Sequence, residues 1–170
     1  MGPSTGPCAG RRPSGAIATH GTMPMGLFRR RRPRVSVVIV FHDMRREARR
    51  TLPAFTAAYQ RGIAADDYEV IVVDSNSREP VDRGWVEALQ GNFRYAYVES
   101  SDPTPNRAMN HGLAMARAPL VMCAIDGARI PTPRMLDLSL RAQAHFGPAY
   151  VMTLGMHLGH KRQNLAVSEG

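Results

Sequence analysis

Two kinds of apolar pattern alternate along the chain. The first is short and nearly continuous. Val35 to Phe41 (Val-Ser-Val-Val-Ile-Val-Phe) and Tyr68 to Asp74 (Tyr-Glu-Val-Ile-Val-Val-Asp) are β-branched runs of strand length. Such unbroken apolarity suits strands buried on both faces. Weaker runs predict strands over 93–99, 120–125 and, last, 149–154. The second pattern has the helical period. Over 44–61, Ala48, Leu52, Phe55 and Tyr59 form one stripe, with arginines on the other side. Pro53 interrupts it: either the helix kinks there, or it ends near Arg50 and a second piece starts with Thr51 as N-cap. Further helices are predicted over 83–90 with Trp85 and Leu89, over 106–117 with Met109, Leu113 and Ala116 on one face, and over 134–145 with Pro133 at its first turn.

Strand and helix thus alternate, which predicts an α/β sandwich around a mainly parallel sheet. In such sheets ligands bind beyond the carboxyl ends of the strands. Asp43, Asp74 and Asp126 each follow a predicted strand, so topology alone gathers three acids along one rim. Each is equally suited to be a turn former or helix cap.

Composition sharpens the boundaries. The net charge of +8 is concentrated in the first 34 residues, which hold seven arginines and no acid, leaving fifteen bases against fourteen acids elsewhere. Residues 1–33 are rich in Gly, Pro, Ser, Thr and Arg and lack periodicity; they are expected to form a disordered basic tail. Residues 34–155 are expected to form the domain and 156–170 an unfinished C-terminal segment. The domain is near neutral and no aromatic stacking face accompanies the arginines, which argues against nucleic acid as partner. The tail suits anionic lipid instead, and peripheral contact with the inner face of a membrane in the cytoplasm is the expectation. Cys8 and Cys123 suggest neither a disulfide framework nor a zinc set, and Cys123 is read as a small buried hydrophobe.

Several chemistries are excluded. The first strand leads into Phe41-His42-Asp43-Met44 and not into a Gly-rich turn, so the dinucleotide fingerprint is absent. The P-loop pattern and the nucleophile elbow are absent too, and the histidines lack metal spacing. What remains is an acidic, hydroxyl-rich rim. It can hydrogen-bond a base and ribose and, with a hard divalent cation, hold a diphosphate.

Four segments together resemble family 2 glycosyltransferases. Ser36 to Asp43 is similar to the family's opening strand and its turn beside the nucleotide base, with Val40 in place of the usual proline and Asp43 in place of the usual asparagine. Tyr68 to Ser77 resembles the strand ending in Asp-Asp-Gly-Ser, so Asp74 matches the acid that contacts the base; Ser75 and Asn76 depart from the common form. Ala108 to Ala116 resembles the Ala-Arg-Asn-x-Gly helix near the diphosphate: Asn110 and Gly112 match, Met109 replaces the arginine, and Arg107 lies close by. Leu120 to Arg129 sits where the family carries its Asp-x-Asp metal motif. Asp126 matches the first acid, Ala128 replaces the second, and Arg129 brings positive charge beside them.

The resemblance implies a GT-A-like, Rossmann-like three-layer α/β/α sandwich, incomplete at its C-terminus. It implies a nucleoside-diphosphate sugar as partner, held by Phe41, His42, Asp43, Asp74, Asn76, Asn110, Asp126 and Arg129. Mg2+ or Mn2+ would be the cofactor, with Asp126 the one matching ligand. The reaction would be glycosyl transfer to a glycan, lipid or small-molecule acceptor. Inverting transfer needs a base to take the acceptor's proton, and no acid after Asp137 other than Glu169 is present to serve. The chain is therefore expected to be a binding half without a complete active site. A non-catalytic binding or interaction module is the alternative. Apolar surface left open near Val151, Met152 and Leu154 would favour self-association or a missing C-terminal half.

Overall fold

The computed structural model describes residues 31–100, 104–124 and 129–153. Four parallel strands make one sheet in the order β3-β2-β1-β4. They are β1 (Val35–Phe41), β2 (Tyr68–Ser75), β3 (Phe93–Val98) and β4 (Leu120–Ala124). Val35 pairs with Tyr68 on one side and Leu120 on the other, so the strands run in step. The chain steps outward from β1 to β3, then crosses back to lay β4 against the free side of β1.

Both faces are covered, as a parallel sheet requires. On one face Val35, Val37, Ile39 and Phe41 of β1 and Tyr68, Val70 and Val72 of β2 pack under α1 (Arg45–Thr51), α2 (Arg83–Glu87) and α4 (Met135–Phe146). On the other, Val38, Val40, Ile71 and Val73 meet α3 (Asn106–Met115). This is the expected three-layer α/β/α sandwich.

Of the two alternatives for 44–61, the break before Pro53 is the one observed, with a second piece far shorter than the stripe implied. The helix ends at Thr51, and Leu52–Phe55 continue as a single 3-10 turn with Pro53 in its first positions. Proline has no N–H for the helical ladder and crowds the preceding turn. Thr51 provides no side-chain cap. The stripe survives in part: Ala48, Leu52 and Phe55 are buried, and Tyr59 is half-buried with its hydroxyl donating to the Pro131 carbonyl at 3.1 Å.

In α3 the seam against the sheet is Ala108 and Gly112, whereas Leu113 stays exposed. Small residues let the helix settle close. A Cβ on Gly112 would stand 3.0 Å from Val73 Cγ2 and closer still to Val38 Cγ1. Two other expectations are corrected at the sheet's edge. Cys123 is exposed, because α3 packs mainly on β1, β2 and β3 and the core on that face reaches β4 only at Val121. Residues 149–153 form no strand, and Tyr150 and Met152 are exposed there. Leu154 and the segment 156–170 lie outside the described residues.

The foot of the sheet, opposite the rim, is held by a buried carboxylate. Glu69 accepts from Ser36 Oγ at 2.7 Å, from the Arg117 backbone N–H at 2.8 Å and from Arg94 at 3.2 Å. Ser36 Oγ accepts in turn from the Ala118 N–H at 3.0 Å. Residues 31–33 of the expected tail reach this foot: Pro33 is buried, and Arg32 donates to the Arg117 carbonyl at 2.6 Å. Residues 1–30 lie outside the described residues.

Gly112→Ala tests the close seam. The substitution should gain up to about 1 kcal/mol in helix propensity, yet overpacking costs roughly 1–3 kcal/mol. We expect a lower urea midpoint for Gly112→Ala. Gly84→Ala in α2, where the added carbon meets nothing nearer than 3.5 Å, should leave the midpoint unchanged or raise it.

Candidate functional site

The carboxyl ends of β1 and β2 release two short loops that lock together. His42 sets Nδ1 2.6 Å from the Ser75 carbonyl oxygen. A carbonyl only accepts, so Nδ1 carries the hydrogen and a neutral ring keeps Nε2 as an acceptor. The Asp43 N–H donates to Ser77 Oγ at 2.8 Å. The Asp43 carboxylate accepts from the Arg78 N–H at 2.8 Å and from its guanidinium at 3.0 and 3.1 Å. Asp43 and Asn76 both have φ of +52°, and they are the non-glycine residues with positive φ among those described. Backbone of this kind is strained for side chains other than Asn and Asp, and tends to gather where a ligand is gripped.

Beneath the loops Asp74 is wholly buried. One oxygen accepts from the Ser77 N–H at 3.1 Å and the other from the Val81 N–H at 2.8 Å. It faces its own loop, not the open rim. Neighbouring Tyr95 has its phenol pushed up to about 12, by burial first and by the charge of Asp74 next. Phe41, expected to wall the base, is corrected: it falls on the α1 and α4 face and is fully buried in the core. His42, Asp43 and Asn76 are exposed at the rim as expected. Asn110 is exposed on α3. Its position two residues from both Ala108 and Gly112 turns it to the side opposite the seam. Arg129 is exposed. Asp126, Gly127 and Ala128 lie outside the described residues.

Sequence reasoning missed several rim residues. Arg78 is 35 positions from its partner Asp43, a separation that no local pattern bridges. Tyr97, Val98, Glu99, Arg107 and His111 line an open depression of about 430 Å3 beside the β2 loop, and the Tyr97 hydroxyl donates to Asn76 Oδ1 at 3.3 Å. The helical spacing of Arg107 and His111 was the available signal. On the other flank, Asp43, Arg45, Arg46, Glu47, Arg78 and Glu79 border a second depression of about 570 Å3.

A divalent cation needs several hard oxygen donors converging. Among the described residues no three Asp, Glu, His or Cys side chains gather in that way. The oxygens of Asp43 and Asp74 are already engaged, and Ala128 supplies no side-chain oxygen. Asp126, the one matching ligand in the sequence, lies outside the described residues.

An α/β sandwich whose left-handed, polar loops cap adjacent parallel strands has the architecture in which ligands bind at strand ends. The sequence model for glycosyl transferase family 2 matches residues 36–136, more than half of the chain. The chain belongs to this family. No curated protein matches it. Among solved structures, residues 1–349 of S. aureus TarS share the fold with a TM-score of 0.56 at 18% identity, over 66% of this chain and 32% of that one. The same portion of TarS in complex with UDP-GlcNAc gives 0.52 at 19% identity, over 66% and 31%. The chain thus spans about a third of the length of these structures.

The loop lock has a pH signature. Hydrogen bonding from the Arg78 N–H leads the effects that hold the Asp43 carboxyl below its usual 3.8, and the Arg78 guanidinium adds to it. A depressed folded pKa contributes stability that is complete above 3.8 and is lost as pH falls through the folded value. Asp43→Asn keeps the tolerance for positive φ. It should melt below the wild type at pH 7, and the gap should narrow in thermal melts as pH falls below 3.8.

Proposed function

We propose that this rim binds a nucleoside-diphosphate sugar, whose sugar is then transferred to a glycan, lipid or small-molecule acceptor. The observation that carries the reading is the pair of left-handed, polar loops locked over β1 and β2 in a domain of this family. The TarS structure with UDP-GlcNAc supports that ligand class. His42, through Nε2, and Asn76 offer hydrogen bonds to the base and ribose, with Asp43 fixing the loop between them. Asp74 shapes the rim from below. Asp126 and Arg129 join the reading through the family resemblance, Asp126 toward the ribose and diphosphate and Arg129 as positive charge beside it. Asn110 belongs to the helix that flanks the ligand.

In the transfer itself, an acceptor hydroxyl attacks the anomeric carbon, the bond to the diphosphate breaks, and a base takes the hydroxyl proton. Positive charge from arginine stabilises the departing diphosphate electrostatically.

Isothermal calorimetry on the full chain tests the reading. UDP-GlcNAc and UDP should bind saturably, whereas free GlcNAc should not. Asn76→Gly keeps the left-handed backbone and removes the amide. It and His42→Ala should each weaken UDP binding by about tenfold, the loss of one or two hydrogen bonds. Absence of saturable heat with UDP-GlcNAc and with other nucleoside-diphosphate sugars at millimolar concentration would remove the proposal.

A further inference from the structure

We infer that the foot of the sheet is a docking surface for an anionic lipid bilayer, which holds the molecule with its rim turned away from the membrane. Five arginines meet at this pole. Arg94 and Arg117 both reach the buried Glu69, at 3.2 and 3.9 Å. Arg32 donates to the Arg117 carbonyl at 2.6 Å. Arg31 and Arg34 each stand 3.9 Å from Asp67, the residue before β2. Of the acids there, Glu69 is wholly buried, Asp67 is half-buried and Asp66 is exposed. The side chains of Arg31, Arg34 and Arg117 are by contrast 81%, 56% and 50% exposed. Such long pairs between open groups hold the arginines only weakly. Their guanidinium forks are therefore available to lipid phosphates.

The arginine run is fixed to the foot where it enters the domain. Pro33 is buried there, and the Arg34 N–H donates to the Asp67 carbonyl at 2.7 Å. Just before it the sequence reads Met25-Gly26-Leu27-Phe28-Arg29-Arg30, apolar side chains followed by further charge. Attachment to a bilayer surface draws on both buried apolar area and attraction to anionic lipid. Nucleic acid fits less well. The aromatic residues that open the strands at this pole, Tyr68 and Phe93, are buried and offer bases no stacking face. Because the rim lies at the opposite ends of the same strands, a molecule docked by its foot presents His42 and Asn76 to the aqueous side. The inference stands apart from the sugar-nucleotide reading, and either can fail alone.

The experiment is flotation of the full-length chain with vesicles of phosphatidylcholine alone or with phosphatidylglycerol added to about one third, a composition with a strong negative surface potential. The chain should float with the anionic vesicles at low salt and be released at high salt. Arg31→Gln/Arg32→Gln/Arg34→Gln should weaken binding about a hundredfold, and Arg117→Gln alone about fivefold, once thermal melts confirm that both fold. Arg45→Gln, an exposed change near the rim, should leave it unaltered. Orientation is read with an environment-sensitive fluorophore in a Cys8→Ser/Cys123→Ser background. Emission from Ala64→Cys, exposed at the foot, should shift on adding anionic vesicles, and emission from Glu79→Cys, exposed at the rim, should not. Equal flotation with neutral vesicles, or no effect of the triple variant, would overturn the inference. An unchanged affinity in Arg117→Gln, or a shift at position 79 and none at 64, would overturn the foot as the docking face. Tighter binding to a short DNA duplex than to the anionic vesicles at the same salt would overturn lipid as the partner.

Discussion

A carboxylate without access to water must find its hydrogen bonds inside the protein, and Asp74 meets that requirement by bending its own loop. Its two oxygens take the N–H groups of Ser77 and Val81, so the chain after β2 has to fold back over the strand end. That bend carries Asn76 into the left-handed region and brings Ser77 Oγ to the Asp43 N–H. The β1 loop is thereby drawn against the β2 loop, with the Asp43–Arg78 contact closing the pair. The exposed groups of His42 and Asn76 are the product of this sequence of constraints. A buried acid thus builds the rim from below.

This division of labour has chemical sense. Groups that must hold a ligand in one orientation are useful only if they are themselves held. The lock fixes the backbone of both loops from below and leaves polar edges free above. The metal-ligand pattern is reduced to Asp126 in the sequence, and the carboxylates of Asp43 and Asp74 are committed to holding the loops.

Much of the fold was legible in the residues. Continuous β-branched runs marked β1 and β2 because strands covered on both faces have no reason to alternate. That same continuity concealed which side each residue faces. Phe41 could be read as a rim residue or a core residue, and only the pairing of β1 with β2 and β4 places it inside. Cys123 was misread for a related reason: an apolar run does not say whether its strand lies at the centre of a sheet or at its edge. Pro53 announced the end of α1, but not that the chain would turn away after a single 3-10 turn. At the site, Asp43, Asp74 and Asn76 stood out as polar residues closing apolar strands. The direction of the Asp74 carboxylate and the partnership of Asp43 with Arg78 are tertiary facts that local pattern does not encode.

The cluster around Glu69 gives the sheet a second, independent anchorage. It joins β1 through Ser36, β3 through Arg94 and the entry to β4 through Arg117 and Ala118, all at the end remote from the ligand. Strand alignment is thus decided at one pole of the molecule and recognition at the other. A lineage carrying this arrangement is free to diversify the loops for new substrates, since exchanging those residues leaves the registration of the strands untouched.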